Sequence, residues 1–166
     1  MAQPNNAETV PKKRPAYTVR RSAIHGMGVF AKRAIPAGEC IIEYLGEHIS
    51  WKEADRRAER KEGPPNHTFL FSLENRKVID GGSGGNDARW INHGCEPNCQ
   101  AKEEDGRIFI YALRDIARGE ELKYDYALQL EGRHTPAIKR DYACRCEAPT
   151  CRLTMLAPKS RKKAAG

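Results

Sequence analysis

Four groups of residues carry side chains whose types and spacing can do chemistry. Cys144-x-Cys146-x4-Cys151 places three thiols within eight residues, close enough to share a soft metal ion. A tetrahedral zinc site needs a further ligand, which Cys40, Cys95 or Cys99 can supply; spacing does not choose among them, and redox use is the alternative. Arg89-Trp90-Ile91-Asn92-His93-Gly94-Cys95-Glu96-Pro97-Asn98-Cys99 packs amides, an imidazole and two thiols around a glycine and a proline. That run is too polar for core. It reads either as an Asn- and Pro-stabilised turn or as a loop whose amide, imidazole and main chain hold a polar ligand. Tyr124-Asp125-Tyr126 sets two phenols on one face of a strand, a core pair by itself and a candidate aromatic pocket together with Tyr44. His25-Gly26-Met27-Gly28 is either a turn needing positive φ or a main chain that approaches a ligand closely. With no third glycine opening a helix, it is not a dinucleotide fingerprint.

These groups need elements to hold them. Tyr17–Arg20 and Val29–Arg33 have strand character on either side of the His25–Gly28 turn, and Cys40–Leu45 reads as a buried strand closed by Gly46. Ser50 with Glu53 forms a capping box that opens a charged helix over Trp51–Glu62, ended by Gly63-Pro64-Pro65. His67–Leu73 and Lys77–Asp80 form a hairpin around Glu74-Asn75, and Gly81–Gly85 is a loop. Arg107–Leu113 alternates, with Ile108, Ile110 and Ala112 on one face, and Glu120–Tyr126 ends in aromatics. Short strands, one helix and frequent turns predict a mostly-β domain with a helical insertion.

Charge and composition narrow the function classes. The 166 residues carry a net charge of +7, which first suggests nucleic acid as a partner. By segment the charge is +4 over residues 1–21, −2 over 22–150 and +5 over 151–166. The body therefore suits a basic partner, and the tails are left to contact polyanions weakly. No apolar run approaches membrane-spanning length, and the polar, proline-rich first sixteen residues contain no apolar signal region. A reducing intracellular compartment is expected, where clustered cysteines act as metal ligands rather than disulfides.

In order along the chain, His25-Gly26-Met27-Gly28-Val29-Phe30, Glu43-Tyr44-Leu45-Gly46-Glu47, Arg89–Asn98, Gly119-Glu120-Glu121-Leu122-Lys123-Tyr124-Asp125-Tyr126 and Cys144-x-Cys146-x4-Cys151 closely resemble the SET-domain protein lysine methyltransferases with a post-SET zinc segment. The resemblance spans about residues 16–157 and is to the bare SET plus post-SET form of bacterial and viral members. It implies a β-clip fold with a pseudoknot, and a disordered basic tail over 1–16. A SET domain follows over 17–127 with its helical insertion near 50–66, then a linker over 128–141, a zinc-bound post-SET segment over 142–157 and a basic tail over 158–166.

Carried over residue by residue, the resemblance implies that Gly26, Met27, Gly28, Arg89, Asn92 and His93 bind S-adenosylmethionine. It implies that Tyr126 is the catalytic tyrosine, with Tyr44 and Tyr124 lining the lysine channel. Cys95 would join Cys144, Cys146 and Cys151 on one structural zinc ion, leaving Cys40 and Cys99 free. The implied substrate is lysine in a basic histone or histone-like tail, in the bacterial cytoplasm or a nucleus. The hydroxyl of Tyr124, where relatives vary between Phe and Tyr, implies mainly monomethylation. Several positions depart from the family pattern. Trp90 stands where Phe is usual, Gly94 where Ser is common, and Leu153 where Gly often follows Cys-Arg. Phe69 replaces a frequent Tyr and is not expected to contact the cofactor. A non-catalytic protein of the same fold that holds nucleic acid through its tails is the competing expectation, and methylation of its own Lys159, Lys162 and Lys163 is a third.

Overall fold

The computed structural model describes residues 14–61 and 68–158. The tails beyond them, the proposed helix stop at Gly63-Pro64-Pro65 and the start of the hairpin at His67 lie outside the described residues.

β1 (Tyr17–Arg21) and β2 (Met27–Ala31) pair antiparallel, with Ser22–Gly26 as their connection. β2 begins two residues earlier than expected, because Met27 and Gly28 pair with Arg21 and Arg20. β3 (Cys40–Tyr44) follows, then β4 (Glu47–Ser50), a strand with no hydrophobic run to announce it. Its definition comes from long-range pairing with β6. α1 (Trp51–Glu59) starts where the Ser50 hydroxyl accepts the Glu53 N–H at 3.2 Å. The reciprocal half of the capping box is replaced: the Glu53 carboxylate pairs with Arg56 and Arg57. Arg57 also reaches Asp80 at 2.7 Å and Glu47 at 2.9 Å, tying the helix to the sheet below it.

β5 (Leu70–Ser72) and β6 (Lys77–Asp80) form the expected hairpin, extended to a three-stranded sheet by β4. A short 3-10 turn at Asp87–Trp90 leads into β7 (Asn92–His93). β8 (Cys99–Glu104) and β9 (Arg107–Ala112) pair around Asp105 (φ 51°) and Gly106 (φ 73°), the positive-φ pair that a tight hairpin turn requires. The charged Lys102-Glu103-Glu104 end hides β8 from hydrophobic periodicity, whereas β9 buries Ile108, Ile110 and Ala112 as its alternation predicts. β10 (Lys123–Tyr124) runs parallel to β7. α2 (Pro136–Asp141), inside the expected linker, is capped by Thr135, whose hydroxyl accepts the Ile138 N–H, with proline in its first turn.

The core is aliphatic and mostly β-branched: Val29, Ile35, Ile79, Ile91, Ile108, Ile110 and Ile116 are buried together with Leu122. Val29, Ile79 and the Ile108/Ile110 pair come from three separate sheets, and Ile35, Ile91, Ile116 and Leu122 from the segments between strands. Burial, at about 25 cal/mol per Å2 of apolar surface, is what holds such short strands together. Cys99 lies in this core, and burial pushes its thiol up to about 12.

Candidate active site

Asn98 joins the Asn92–Asn98 segment to the one leading to Tyr126. Its amide donates to the Glu121 carbonyl and its side-chain oxygen accepts the Lys123 N–H, each at 2.8 Å, and the side chain is buried. Gly94 N–H donates to the Tyr124 carbonyl and Tyr126 N–H donates to His93 Nδ1 at 3.1 Å. These bonds extend the parallel β7–β10 pair and bring the Asn-His and Tyr-Asp-Tyr motifs together.

A cleft of about 440 Å3 opens beside this junction. Ile24, His25, Gly26 and Met27 form one wall, with Gly26 at φ 46°. The Asn92 amide pins that wall by donating to the Met27 carbonyl at 3.0 Å, to the His25 carbonyl at 3.3 Å and to Glu121 Oε1 at 2.8 Å. Glu121 also accepts the single Ser22 O–H, shared between its two carboxylate oxygens at 2.7 and 2.9 Å. Gly28 does not line the cleft. A Cβ there would overlap the Glu121 carboxylate and crowd the Ser22 side chain, so packing by itself favours glycine at 28.

The facing wall is aromatic. Phe69 and Trp90 meet edge to face at 5.2 Å, and the Arg89 guanidinium sits 4.8 Å from the Trp90 ring. Phe69 lines the cleft. Arg140 and Asp141 of α2 and Cys144, Arg145 and Met155 complete the enclosure. Tyr126 and His93 lie at its floor.

Behind Tyr126 the aromatic rings continue. Tyr126 and Tyr124 are 5.0 Å apart, Tyr124 and Phe71 6.1 Å, and Phe71 and Tyr44 5.4 Å. Tyr44 and Tyr124 are buried and do not line the cleft. The Tyr44 hydroxyl donates to the Phe69 carbonyl at 2.8 Å, and Gly81 is glycine because a Cβ would strike that same hydroxyl. Burial pushes all three phenols well above their ordinary range. The Tyr126 hydroxyl donates to the Ile91 carbonyl at 2.6 Å, so its oxygen can only accept towards anything else that approaches.

His93 is held neutral, burial lowering its pKa to about 4. Nδ1 accepts from Tyr126, which leaves Nε2–H as the donor to Cys95 Sγ at 3.4 Å. His93 Nδ1 also lies 3.5 Å from Asp125, a contact that is an ion pair only for a charged imidazole. The bidentate Arg152–Asp125 pair, at 2.8 and 2.9 Å, neutralises that carboxylate instead. Burial alone would raise the Asp125 pKa, but the Arg152 hydrogen bonds and charge, with the Ala127 N–H, together outweigh it and hold the carboxyl below its usual range.

Cys95, Cys144, Cys146 and Cys151 converge with their sulfurs within 4.8 Å of one another. Cys95 lies 3.7 Å from Cys144 and 3.8 Å from Cys151. A regular tetrahedron of zinc–sulfur bonds sets sulfurs about 3.8 Å apart, so the donor set fits zinc. Main-chain N–H groups of Cys146, Arg152 and Leu153 point at these sulfurs, as suits thiolates. Cys40 and Cys99 stand apart from the cluster. Cys144 N–H to Leu153 and Met155 N–H to Tyr142 close the cysteine segment on itself, while Ala157 N–H to Leu128, the Thr150 hydroxyl to Glu96 and Arg152 to Asp125 tie it to the rest of the chain.

The known family matching this arrangement is the SET domain, over residues 26–127. The chain belongs to the SET-domain family. It is similar to histone-lysine N-methyltransferase 2B of Homo sapiens, at 43% identity over 82% of this chain and 5% of that protein. An H3 lysine-4 specific histone-lysine N-methyltransferase of Kluyveromyces lactis is 44% identical over 85% of this chain and 14% of the relative. Histone-lysine N-methyltransferase set1 of Dictyostelium discoideum is 39% identical over 93% of this chain and 10% of its own length. The chain thus spans a small part of the relatives it matches. No described helix of this SET-domain protein is long and apolar enough to cross a membrane.

Proposed function

We propose that this SET domain transfers a methyl group from S-adenosylmethionine to lysine in basic histone or histone-like tails in a nuclear, chromatin-associated setting, and mainly monomethylates. The observation that carries this reading is the position of Tyr126. It faces the cleft on one side and packs on Tyr124 on the other, at the junction of a ligand-sized space and a buried aromatic path.

The cleft's residues fit the cofactor. Its volume lies within the usual range of about 300–1,000 Å3 for small-molecule sites. Phe69 and Trp90 offer flat apolar faces, and the buried Nε of Arg89 has no partner among the described residues. S-adenosylmethionine, when bound, supplies an electrophilic methyl on a sulfonium. The chain's own contribution is alignment and the exclusion of water. The lysine amine, with an ordinary pKa near about 10.4, must arrive without its proton. Passage through the low-dielectric rings of Tyr44, Phe71 and Tyr124 disfavours the ammonium. The proton is lost to water before transfer. Tyr126 is no general base: burial keeps its phenol protonated, and that proton is committed to Ile91. Its oxygen lone pairs are left to orient the methyl through weak C–H···O contacts.

The test is incubation of the zinc-loaded protein with methyl-labelled cofactor and a mixture of basic proteins, beside Tyr126→Phe. The expected result is labelled lysine for the wild type. The variant should retain cofactor affinity and lose at least tenfold in rate, about 1.4 kcal/mol of transition-state stabilisation. Cofactor binding without any transfer would overturn the activity, and absent binding would overturn the cleft assignment.

A further inference from the structure

Glu121 holds a negative charge beside the cleft that no step of the proposed transfer uses. Both its carboxylate oxygens act as acceptors only, as the ionised form does: they share the Ser22 hydroxyl, and Oε1 also takes the Asn92 amide at 2.8 Å. Those donors are neutral. Among the described residues Glu121 forms no ion pair, although it is half-buried. Withdrawing a charge from water without a countercharge is costly, so the arrangement points to a cation brought from outside.

The carboxylate stands one layer behind the cleft. It does not line the space itself, but Asn92, which it holds, and Tyr126 both do. Its field reaches the cleft floor: after burial and the Tyr44 phenol, the Glu121 charge is a further reason that the Tyr126 phenol stays protonated. Asn92 commits Nδ2 to Glu121 and to the Met27 and His25 carbonyls, so the end of its amide left for a ligand is Oδ1, another acceptor. The rest of the charged lining suits anions. Arg89, Arg140 and Arg145 line the cleft, and Asp141, the one carboxylate among the described lining residues, is exposed. Exposed charges are screened by salt, and half-buried ones much less. A ligand with both an anionic group and a cationic centre therefore finds the countercharge for that centre at Glu121.

We propose that Glu121 sets the cleft's preference between charged and spent cofactor: its carboxylate favours the sulfonium of S-adenosylmethionine over the neutral thioether left by methyl transfer, and so favours replacement of one by the other. This rests on the reading of the cleft as the cofactor site. Transfer breaks the sulfur–carbon bond, whose electron pair stays on sulfur, and the amine lone pair forms the carbon–nitrogen bond. The positive charge thus leaves with the methyl group for the lysine nitrogen. Glu121 faces a cation before the step and a neutral sulfur after it. It acts through space and is a specificity-determining residue, not a catalytic one.

Calorimetry of the zinc-loaded full chain with S-adenosylmethionine and, separately, with S-adenosylhomocysteine (the thioether) tests this. Glu121→Gln keeps the size of the side chain and an acceptor for Asn92 and removes the charge; zinc content and melting temperature are checked beside it. It should weaken sulfonium binding by about tenfold, the order of one charge–charge interaction in a partly buried site, and leave thioether binding within about twofold. Ser22→Ala removes a hydrogen bond but no charge, and Glu121→Asp keeps the charge on a shorter side chain. Each should hold the wild-type ratio of the two affinities even where both fall, and these two variants decide the matter if Glu121→Gln does not fold. If Glu121→Gln weakens both ligands equally or changes neither, Glu121 is a packing residue and the proposal is overturned. A collapse of the ratio in Ser22→Ala or Glu121→Asp overturns it as well. All of these results leave the cofactor reading standing, whereas a wild type that binds neither ligand overturns that reading and this proposal with it.

Discussion

The Tyr126 main-chain N–H donates to His93 Nδ1 at 3.1 Å, and that one bond decides how both residues serve the site. It fixes the imidazole tautomer with Nε2–H towards Cys95 and holds Tyr126 against the β7–β10 pair. The cysteine cluster, the cleft floor and the tyrosine are thereby one unit.

Asn98 is the buried side chain that closes this junction, and Asn98→Ala should cost about 2–5 kcal/mol, because two main-chain groups lose their partners in a dry environment. Urea denaturation should show the loss as a lower midpoint with an unchanged slope. A change within a few tenths of a kcal/mol would mean that water replaces both bonds.

The phenols make a prediction about alkaline pH. Tyr44, Tyr124 and Tyr126 have folded pKa values raised, by burial first, above the ordinary value of about 10. A raised folded pKa means that their neutral forms stabilise the fold fully below about pH 10, and that this is lost as pH rises through the folded values. The methyl-transfer rate should therefore climb with pH as the substrate lysine deprotonates, with no descending limb below about pH 10. Stopped-time assays with stability controls would reveal such a limb.

Metal removal should act on the cleft before the sheets. Cys144 and its neighbours Ala143 and Arg145 line the cleft, while the aliphatic core is built from other segments. Chelation should abolish cofactor binding in calorimetry while far-UV circular dichroism keeps most of its β signal. Zinc measured by emission spectroscopy should return with binding on reconstitution, at one ion per chain.

Leu153 sits at φ 60° and is 74% exposed. A non-glycine residue there costs about 1–2 kcal/mol, partly offset by the extra freedom glycine has in the unfolded chain. Leu153→Gly should stabilise the zinc-loaded protein by about 0.5–1 kcal/mol, seen as a higher melting temperature. An unchanged or lower value would show that the side chain makes a compensating contact.

Tyr124→Phe should shift products from monomethyl-lysine towards di- and trimethyl-lysine, since the hydroxyl narrows the path between Phe71 and Tyr126. Mass spectrometry of products over time reads this directly, and efficient trimethylation by the wild type would falsify the assignment.

Much of this was legible in advance where local chemistry speaks for itself. The β9 alternation, the hairpin around Glu74-Asn75 and the Ser50 cap are short-range signals, and each appears in the structure. β4 and β8 were not legible, because Glu47–Ser50 and Cys99–Glu104 are polar segments made into strands by their partners. α2 did carry a signal, Thr135 followed by Pro136, in a stretch read as a linker. The role of Glu121 escaped for another reason: it depends on neighbours far along the chain, Ser22 and Asn92.

By itself, then, the amino-acid sequence determined the strand-rich class, the ordered motifs and the set of side chains able to act, because alternation, turns and caps arise between near neighbours. Spacing left Cys40, Cys95 and Cys99 open and the family resemblance pointed to Cys95; the tertiary structure brings that thiol to the three clustered cysteines and sets Gly28 against the Glu121 carboxylate. The physical reason is that these contacts close loops of tens of residues, whose entropic cost is met by burial of the whole core and by no local preference.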